Sequence, residues 1–563
     1  MSLLSRLNPA NLIPRFPPYP GPYAVGSFEV EIPVKSLTPL ESVGGVAETV
    51  QFRVFYPTQK RAENPAGGWW CHGDKKPEED PSTSIPKPVR WLPEPHQREY
   101  LSAYARFLGA SSGFAEIVSH ISRLLHYISL PVIADAPLLP SPSPDFRLPT
   151  MVFSHGLGGT RLAYSHICCS IASYGIVVVA PEHRDGSAPV SFVRTSATGA
   201  QETQIQGTKP SSSEPGIGEA SAATSSSPEN GSNGRIQVDY ATYPHHVSEE
   251  TANGRNRQLE IRLREVALVY SALASLDAGR IPADTIVSTD ETPDGTTGVA
   301  LLGTLKDRLD IREPGRVIWA GHSFGASTMF QFIKSIHHIP PGSSTTHKPL
   351  FTPECISTDP TIPTLPLQQQ VTPDSPLLLL DLWCLPLLGQ RTNYLFKQPL
   401  PQISAGNPRK ILVVMSDEFW RWKENLHGIR RALSADPGRK RGGDANRWFE
   451  QWDDGDGDDA HRGGAAPDVG AAEGPRFYYV HKSAHLSQSD FGILFPRAIK
   501  GADGAERILD LNVRAVVQWL REAGVRLGGV GEEVGGGIFG GKVEGWSKIA
   551  LEEEEVEVKK KTG

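Results

Sequence analysis

The sequence predicts an α/β fold with one mostly parallel sheet covered by helices on both faces. Short apolar segments of strand length recur along the chain, and amphipathic helical patterns lie between them. The apolar segments are continuous rather than alternating, which is typical of parallel strands that are buried on both faces. These predicted strands are residues 150–154, 175–180, 316–320, 376–380, 410–415 and 476–480.

Other segments complete this scaffold. Residues 27–34 and 48–56 alternate apolar and polar side chains, which predicts an antiparallel pair of strands at the start of the sheet. Apolar residues recur at spacings of three and four in several longer segments, which predicts helices there. The predicted helices are residues 96–133, 162–174, 257–277 and 505–523.

The chain of 563 residues is longer than this scaffold needs. Residues 195–253 are rich in Ser, Thr, Gly and Glu, and residues 435–474 are rich in Gly, Asp, Arg and Ala. Such segments bury too little apolar surface to offset chain entropy, so we expect disordered insertions there. We therefore predict one catalytic domain over residues 21–524, with a flexible N-terminus at 1–20 and a flexible tail at 525–563.

The composition excludes several classes of protein. A net charge of −7 gives no electrostatic case for nucleic acid. Five cysteines without a C-x-x-C pair favour a reducing compartment and argue against a disulfide framework or zinc site. The start of the chain has no apolar core of signal-peptide length, and no apolar run reaches membrane-spanning length. We expect a cytoplasmic protein without metal or cofactor, and the sequence indicates no protein partner.

Ser323 lies in a G-x-S-x-G motif, Gly321 to Gly325. A predicted strand precedes the motif and a predicted helix follows it, which is the setting of a nucleophilic serine on a sharp turn. The flanking glycines remove side chains that would clash in such a turn, and the helix N-terminus favours developing negative charge. This setting favours a nucleophile over an ordinary glycine-rich turn.

An activated serine needs a base, and the base needs an acid that orients it. The order serine, acid, histidine along the chain is that of the α/β-hydrolase fold. His485 follows the predicted strand 476–480 at the carboxyl edge of the sheet, so we predict it as the base. Asp381 and Asp417 each follow a buried strand, and their positions along the sequence do not decide between them.

Two backbone N–H groups are needed to stabilise an oxyanion. One is predicted from Phe324, the residue after the nucleophile, and the other from the glycine-rich loop after residues 150–154. In that loop Leu157 is the expected donor, because the glycines around it allow the backbone to approach a substrate.

Several motifs together resemble the platelet-activating factor acetylhydrolases of the plasma and intracellular type-II group. The resemblance covers roughly residues 20 to 520, interrupted by the two predicted insertions. It is carried by G-H-S-F-G at 321–325, F-S-H-G-L-G at 153–158, E-H-R-D at 182–185, G-P-Y-A-V-G at 21–26, Y-P at 56–57, R-Q at 257–258 and L-D-L-W at 380–383.

The resemblance implies a calcium-independent serine hydrolase that removes short or oxidised acyl groups from the sn-2 position of phospholipids. It implies Ser323 as nucleophile, His485 as base and Asp381 as acid, with Leu157 and Phe324 as oxyanion donors. This chain departs from the family in its two long insertions, its lack of a secretory signal and Ala326 where a further glycine is common. We interpret the charged cluster 182–185 as a structural ion-pair network.

A phospholipid substrate implies transient contact with a membrane surface. Residues 114–130 have an apolar face that suits lipid, although a core helix is the favoured interpretation. Two other functions stay open at this point. One is a general esterase or lipase on the same fold, and the other is a catalytically idle hydrolase fold used for binding.

Overall fold

The computed structural model describes most of the chain. The described residues are 13–37, 47–59, 88–94, 96–109, 123–194, 235–244, 246, 248–288, 296–339, 348–353, 365–439, 474–496, 499, 504–527 and 537–551. One large sheet runs through the centre of the described residues, and a two-stranded sheet lies beside it. No helix among them is long and apolar enough to cross a membrane.

The strands follow one another in chain order as β1 to β14. Their bounds are Ala24–Pro33, Thr49–Thr58, Ile133–Ala134, Leu148–Ser154, Val177–Pro181, Val190–Arg194, Arg235–Asp239, Ile286–Ser288, Leu309–Asp310, Ile318–His322, Leu377–Leu380, Ile411–Ser416, Arg476–Val480 and Trp546–Lys548. The large sheet has the order β14-β13-β12-β11-β10-β4-β5-β2-β1-β3, with β8 paired to β1 and β9 to β4. Strands β5, β4, β10, β11, β12 and β13 form its parallel centre.

The helices are numbered α1 to α12 in chain order. Their bounds are Gln97–Phe107, Ser165–Ala172, Glu249–Asp277, Thr296–Gly303, Phe324–His338, Leu367–Gln370, Gln390–Phe396, Pro401–Ser404, Asp417–Arg421, Lys423–Ala432, Asp490–Leu494 and Ala505–Glu522. Short 3-10 helices cover Val34–Ser36, Arg123–Tyr127, Leu385–Leu387, Pro408–Lys410 and His485–Gln488.

Helices cover the sheet on both faces, as the continuous apolar strands predict. In β5, Val177 and Val179 face a core that contains α3 and α5. Val178 and Ala180 face the opposite core, which contains α1, α2 and α12. Because successive strand residues point to opposite faces, a strand between two helical layers must be apolar at every position. The predicted fold class is confirmed.

The predicted strands of the parallel centre agree with the structure to within about two residues at each end. The antiparallel start is also confirmed, because β1 pairs with β2 antiparallel. The single helix predicted over residues 96–133 is wrong in part. Helix α1 ends at Phe107, residues 123–127 form a 3-10 helix, and β3 pairs with β1. Residues 110–122, which hold most of the apolar face predicted at 114–130, lie outside the described residues.

The predicted insertion at residues 195–253 is wrong at its C-terminal end. Strand β7 pairs antiparallel with β6, and α3 begins at Glu249 rather than at residue 257. The Ser248 side chain caps this helix by accepting a hydrogen bond from the Thr251 N–H. Residues 195–234, like residues 440–473 of the second predicted insertion, lie outside the described residues.

The flexible termini were also predicted too long. Phe16 is buried and stacks on His166 at a ring separation of 6.2 Å. Strand β14 pairs antiparallel with β13, and Trp546 and Ile549 of this segment are buried. A few apolar side chains that each lose contact with water are enough to dock a short segment, even where the surrounding composition is rich in glycine.

Candidate active site

Ser323 lies on a sharp turn between β10 and α5. Its backbone has φ 57° and ψ −118°, a left-handed conformation that is costly for a residue with a side chain. A Cβ atom on Gly321 would overlap the backbone of Gly325, and one on Gly325 would overlap the Ser154 carbonyl. The Ser323 N–H donates to the Leu380 carbonyl at 2.8 Å, which ties the turn to the neighbouring strand. The turn therefore needs both flanking glycines.

The structure brings Ser323, His485 and Asp381 together. The distance from His485 Nε2 to Ser323 Oγ is 3.0 Å, and that from His485 Nδ1 to Asp381 Oδ2 is 2.8 Å. The three side chains follow different strands, β10, β11 and β13, whose carboxyl ends meet at one edge of the sheet. This chain of contacts has the geometry of a nucleophile, a base and an orienting acid.

Asp381 is fully buried and held from several sides. Its carboxylate accepts hydrogen bonds from the Ser416 N–H at 2.5 Å and the Ser416 hydroxyl at 2.7 Å. Burial by itself raises the pKa of Asp381, but contacts with His322 and His485 outweigh it and lower this pKa below its usual value. The carboxylate is therefore held in its charged form beside the imidazole.

The alternative acid, Asp417, lies elsewhere. Its carboxylate pairs with Arg421 at 2.8 Å on helix α9, and its backbone N–H donates to the Ser483 hydroxyl. The acid that contacts His485 is Asp381, the residue that the family resemblance implies. The contact with His485 thus distinguishes Asp381 from Asp417, although each of them follows a buried strand in the sequence.

The His485 ring is held between two other rings. It stacks on His322 at 4.4 Å and on Phe419 at 4.2 Å between ring centroids. Burial, followed by the neighbouring His485, lowers the pKa of His322 to about 4, so His322 stays neutral near pH 7. His322 therefore places no second positive charge beside the His485 ring. The Tyr164 hydroxyl hydrogen-bonds His322 Nδ1 at 2.8 Å and fixes this second ring.

The loop after β4 approaches Ser323 from the other side. A Cβ atom on Gly156 would meet the Ser323 Cβ at 3.0 Å, so the loop backbone passes directly beside the serine. The amides around Leu157 are engaged: the Gly156 N–H donates to the Tyr164 hydroxyl at 3.2 Å, and the Gly158 N–H donates to the Ser187 carbonyl at 2.8 Å. The Leu157 peptide is thus fixed on both sides. This position suits one of the two predicted oxyanion donors.

Phe324, the other predicted donor, is the first residue of α5, where the N–H groups have no acceptor within the helix. Its ring is fully buried beneath the turn.

Arg262 of α3 lies between the loop that contains Leu157 and the ring of Phe324. Its guanidinium donates to the His155 carbonyl at 2.8 Å, and it lies over the Phe324 ring at 4.4 Å from the centroid. It also donates to the Asp185 carboxylate at 2.7 Å and to the Ser187 hydroxyl. Because the Ser187 carbonyl in turn accepts a hydrogen bond from the Gly158 N–H, Arg262 braces the loop around Leu157 at both ends.

We expect Arg262→Met to lower kcat by about 100-fold while KM changes by less than about threefold, because an oxyanion donor misplaced by about 1 Å loses most of its effect. Steady-state kinetics on a neutral aryl acetate would measure this. Arg264→Met is the matched control, since Arg264 lies on the same helix but pairs with Glu260. An unchanged kcat in a folded Arg262→Met protein would show that Arg262 does not position the loop around Leu157. Arg262→Lys, which keeps the charge beside Asp185, guards against loss of the fold.

The cluster 182–185 forms the ion-pair network predicted for it. Glu182 pairs with Arg161 at 2.5 Å, and His183 hydrogen-bonds both Glu265 at 2.9 Å and the Ser154 hydroxyl at 2.8 Å. These side chains are buried, so the pairs orient one another and the Ser154 hydroxyl within the protein rather than contact solvent.

This network predicts a pH dependence of stability. Burial raises the pKa of Glu265 to about 8 from its ordinary value of 4.5, although the neighbouring Arg184 and Arg262 oppose the shift and Asp185 adds to it. A carboxyl group whose pKa is higher in the folded state stabilises the fold at low pH, and this contribution is lost as pH rises from about 4.5 to about 8. Asp490, whose burial raises its pKa to about 7, acts in the same direction.

We therefore expect the melting temperature of Glu265→Gln to fall less steeply than that of the natural protein between about pH 5 and about pH 8. Calorimetry at a series of pH values would measure the two slopes, with Asp490 unchanged in both proteins. Parallel curves would show that Glu265 does not titrate differently in the folded and unfolded states.

One group of potential metal ligands occurs among the described residues. It consists of His322, Asp381 and His485, whose ligand atoms lie within 4.8 Å of one another. Two of these three already share a hydrogen bond of 2.8 Å between Nδ1 and Oδ2. That contact suits proton sharing between imidazole and carboxylate.

Comparison with known proteins supports the family resemblance. Residues 77–347 match the family described as platelet-activating factor acetylhydrolase, isoform II. A Schizosaccharomyces pombe protein named "Putative phospholipase A2" is 25% identical over 523 residues, which is 90% of this chain and 92% of the relative. Two further relatives are named "Platelet-activating factor acetylhydrolase". The one from Gallus gallus is 25% identical over 242 residues, and the one from Cavia porcellus is 27% identical over 241 residues. Each match covers 43% of this chain. The matches span 46% and 42% of those two relatives, less than half their length.

The resemblance to the platelet-activating factor acetylhydrolases is therefore confirmed over residues 77–347. That range includes Leu157, Ser323 and Phe324, whereas Asp381 and His485 lie beyond it. The family and the names of these relatives support an ester hydrolase. A solved ferulic acid esterase from Streptomyces cinnamoneus is 12% identical, covers 95% of this chain and 99% of its own, and has a TM-score of 0.40.

Several residues of the site carry no signal in the sequence. His322 stands at the variable position of the serine motif, Phe419 follows the alternative acid, and Arg262 lies in a helix predicted only as amphipathic. Their contacts come from packing between distant segments. The one available hint is that Arg262 is charged and falls among the apolar positions of its helix, where a buried charge needs partners.

Proposed function

We propose that this chain, a relative of the platelet-activating factor acetylhydrolases over residues 77–347, is a serine hydrolase of phospholipids. It removes short or oxidised acyl groups from the sn-2 position. The observation that carries the proposal is the continuous contact from Ser323 through His485 to Asp381, at 3.0 and 2.8 Å. The family match supports the substrate class.

The first half of the reaction forms an acyl-enzyme. His485 Nε2 accepts the hydroxyl proton of Ser323 while Oγ attacks the ester carbonyl. Asp381 accepts the hydrogen bond from His485 Nδ1 and stabilises the imidazolium that forms. The N–H groups of Leu157 and Phe324 donate to the oxyanion. His485 then gives its proton to the departing lysophospholipid oxygen, and the acyl group stays on Ser323.

Water completes the cycle. His485 takes a proton from the water that attacks the acyl carbonyl. It returns this proton to Ser323 Oγ when the second tetrahedral intermediate breaks the bond to Oγ and releases the carboxylic acid. Each step uses groups of the chain itself, and calcium independence is the further expectation that the family resemblance carries. We include no metal or cofactor in the proposal.

A panel of phosphatidylcholines with sn-2 chains from acetyl to palmitoyl would test the substrate class. We expect the acetyl ester to have a kcat/KM at least about tenfold above that of the palmitoyl ester. The rates should be the same with calcium and with a chelator. A requirement for calcium, or a preference for the longest chain, would contradict this proposal.

The same panel separates the alternatives. Cleavage of p-nitrophenyl or triglyceride esters without cleavage of the phosphatidylcholines would indicate a general esterase or lipase. Absence of turnover on every ester would favour an idle hydrolase fold that binds rather than cleaves.

The proposal also covers the domain organisation and the cellular location of the protein. Residues 21–524, together with the docked segments around Phe16 and β14, form one catalytic domain. The protein acts in the cytoplasm with transient contact at a membrane surface, where its substrate lies. Vesicle sedimentation with and without the substrate lipid would measure that contact.

A further inference from the structure

Arg255 is a buried cation without a matching anion. Its side chain is 1% exposed, its Nη1 donates to the Gln258 side-chain oxygen at 2.7 Å, and the Tyr240 phenol is a further polar neighbour that hydrogen-bonds the side chain. Its Nε and Nη2 atoms are buried and have no hydrogen-bond partner among the described residues. A guanidinium in such a position loses hydration that nothing nearby fully replaces.

No carboxylate is available to neutralise this charge within the described part of the chain. Asp185, the acidic residue that acts on Arg255, is already paired with Arg262 at 2.7 Å. The phenol of Tyr240 lies close to the guanidinium, and burial is the main cause that lowers the pKa of Arg255. The surroundings are therefore polar and aromatic, and among the described residues they supply no unpaired anion for the guanidinium.

Arg255 stands next to the proposed catalytic groups. Its guanidinium lies 5.7 Å from the ring centroid of Phe324, which follows the nucleophile, and 5.2 Å from that of Trp383, which follows the proposed acid by two residues. Arg262, two turns along α3, lies over the same Phe324 ring at 4.4 Å. Arg262 is saturated by Asp185, Ser187 and His155, whereas Arg255 is not.

We propose that Arg255 binds an anionic oxygen group of the ester substrate. The planar guanidinium presents paired N–H donors that match a phosphate or a carboxylate. Two parts of the substrate could supply that chemistry: the phosphate diester of the headgroup, or a carboxylate at the end of an oxidised acyl chain. The inference rests on the proposed function, because it assigns a subsite to the same active site.

Tyr243 covers this subsite. Its ring lies 5.2 Å from the Arg255 guanidinium and packs against Gly254, where a Cβ atom would overlap it. Tyr243 is itself half-buried. In the proposal this ring turns aside to let a ligand reach Nε and Nη2, and the guanidinium exchanges its contact with the ring for the stronger pairing with an anion.

Binding of ether analogues tests the subsite without any need for turnover. Three ligands share the same alkyl chains: one carries a phosphocholine headgroup, one a neutral glycerol, and one a neutral glycerol with a carboxylate at the end of the sn-2 chain. Calorimetric titration would compare the natural protein with R255Q, R255K and the matched control R264Q. Melting temperatures would establish that each variant is folded.

We expect R255Q to weaken one of the two anionic ethers at least about tenfold, while the neutral ether changes by less than about twofold. Loss of the phosphocholine ether identifies the headgroup, and loss of the carboxylate ether identifies the acyl chain. R255K should lie between R255Q and the natural protein, and R264Q should match the natural protein. Unchanged affinity for all three ligands in R255Q, or an equal loss on all three, would overturn the proposal.

Two further outcomes are separable. If R255Q does not fold, the affinities of the natural protein for the three ethers decide. The proposal requires that it bind one anionic ether at least about tenfold more tightly than the neutral ether. Equal affinities would then overturn the proposal. Arg255-dependent binding without hydrolysis of the corresponding esters would contradict the proposed function and leave the anion subsite intact.

Discussion

Ser323→Ala is expected to lower kcat for ester hydrolysis by a factor on the order of 10⁴ or more. The change removes the Oγ that lies 3.0 Å from His485 Nε2, and with it the covalent route through an acyl-enzyme. The fold should persist, because alanine keeps the Cβ that the turn already accommodates. Turnover of an sn-2 acetyl phospholipid, compared with the melting temperature, would measure both effects.

Ser335→Ala provides the matched control on the same helix. Ser335 is also buried, but its hydroxyl contacts the Gln331 side chain at 3.5 Å, three turns away from the nucleophile. We expect its kcat to stay within about twofold of the natural value. Retention of activity in Ser323→Ala would show that another group performs the chemistry.

Asp381→Asn is expected to lower kcat by about 10⁴-fold with little change in KM. The amide is close in shape to the carboxylate, but it cannot stabilise the imidazolium or hold His485 Nδ1–H in the same tautomer. The contact that it disturbs is the one of 2.8 Å between Asp381 Oδ2 and His485 Nδ1. Single-turnover kinetics would isolate the chemical step.

Asp417→Asn separates the two candidate acids. Its carboxylate pairs with Arg421, whose side chain is 70% exposed, and such a surface pair contributes about 0–1 kcal/mol to stability. We expect its kcat to stay within about twofold of the natural value. If Asp417→Asn were the inactive variant and Asp381→Asn the active one, the assignment of the acid would be wrong.

Much of the fold could be predicted because the central strands carry a strong signal. Residues 377–380, 411–416 and 476–480 are short, apolar runs, and burial on both faces leaves no other pattern possible for them. The strands outside this centre are harder to predict from the sequence. Trp546 joins the sheet from a glycine-rich tail, and β7 lies in a segment whose composition predicted disorder. Pairing with a neighbouring strand decided these cases, and that is a tertiary contact.

The site likewise contains residues that a local sequence pattern predicts and residues that only tertiary contacts identify. Ser323 and the loop around Leu157 are tied to local backbone geometry, so glycine spacing predicts them. Asp381 and Asp417 occupy equivalent positions along the chain, and only the contact with His485 distinguishes them. Arg262 acts between segments distant in sequence, which no local pattern encodes.

Covalent labelling tests the central claim, a nucleophilic Ser323, most directly. The natural protein would be treated with a fluorophosphonate. An activated serine attacks its phosphorus and displaces fluoride, and the phosphorus then remains bonded to the serine oxygen. Intact mass and peptide mapping would locate the adduct. We predict one adduct per chain, on Ser323, together with loss of ester turnover. An unmodified Ser323 in inactivated protein, or an adduct on another residue, would contradict the account.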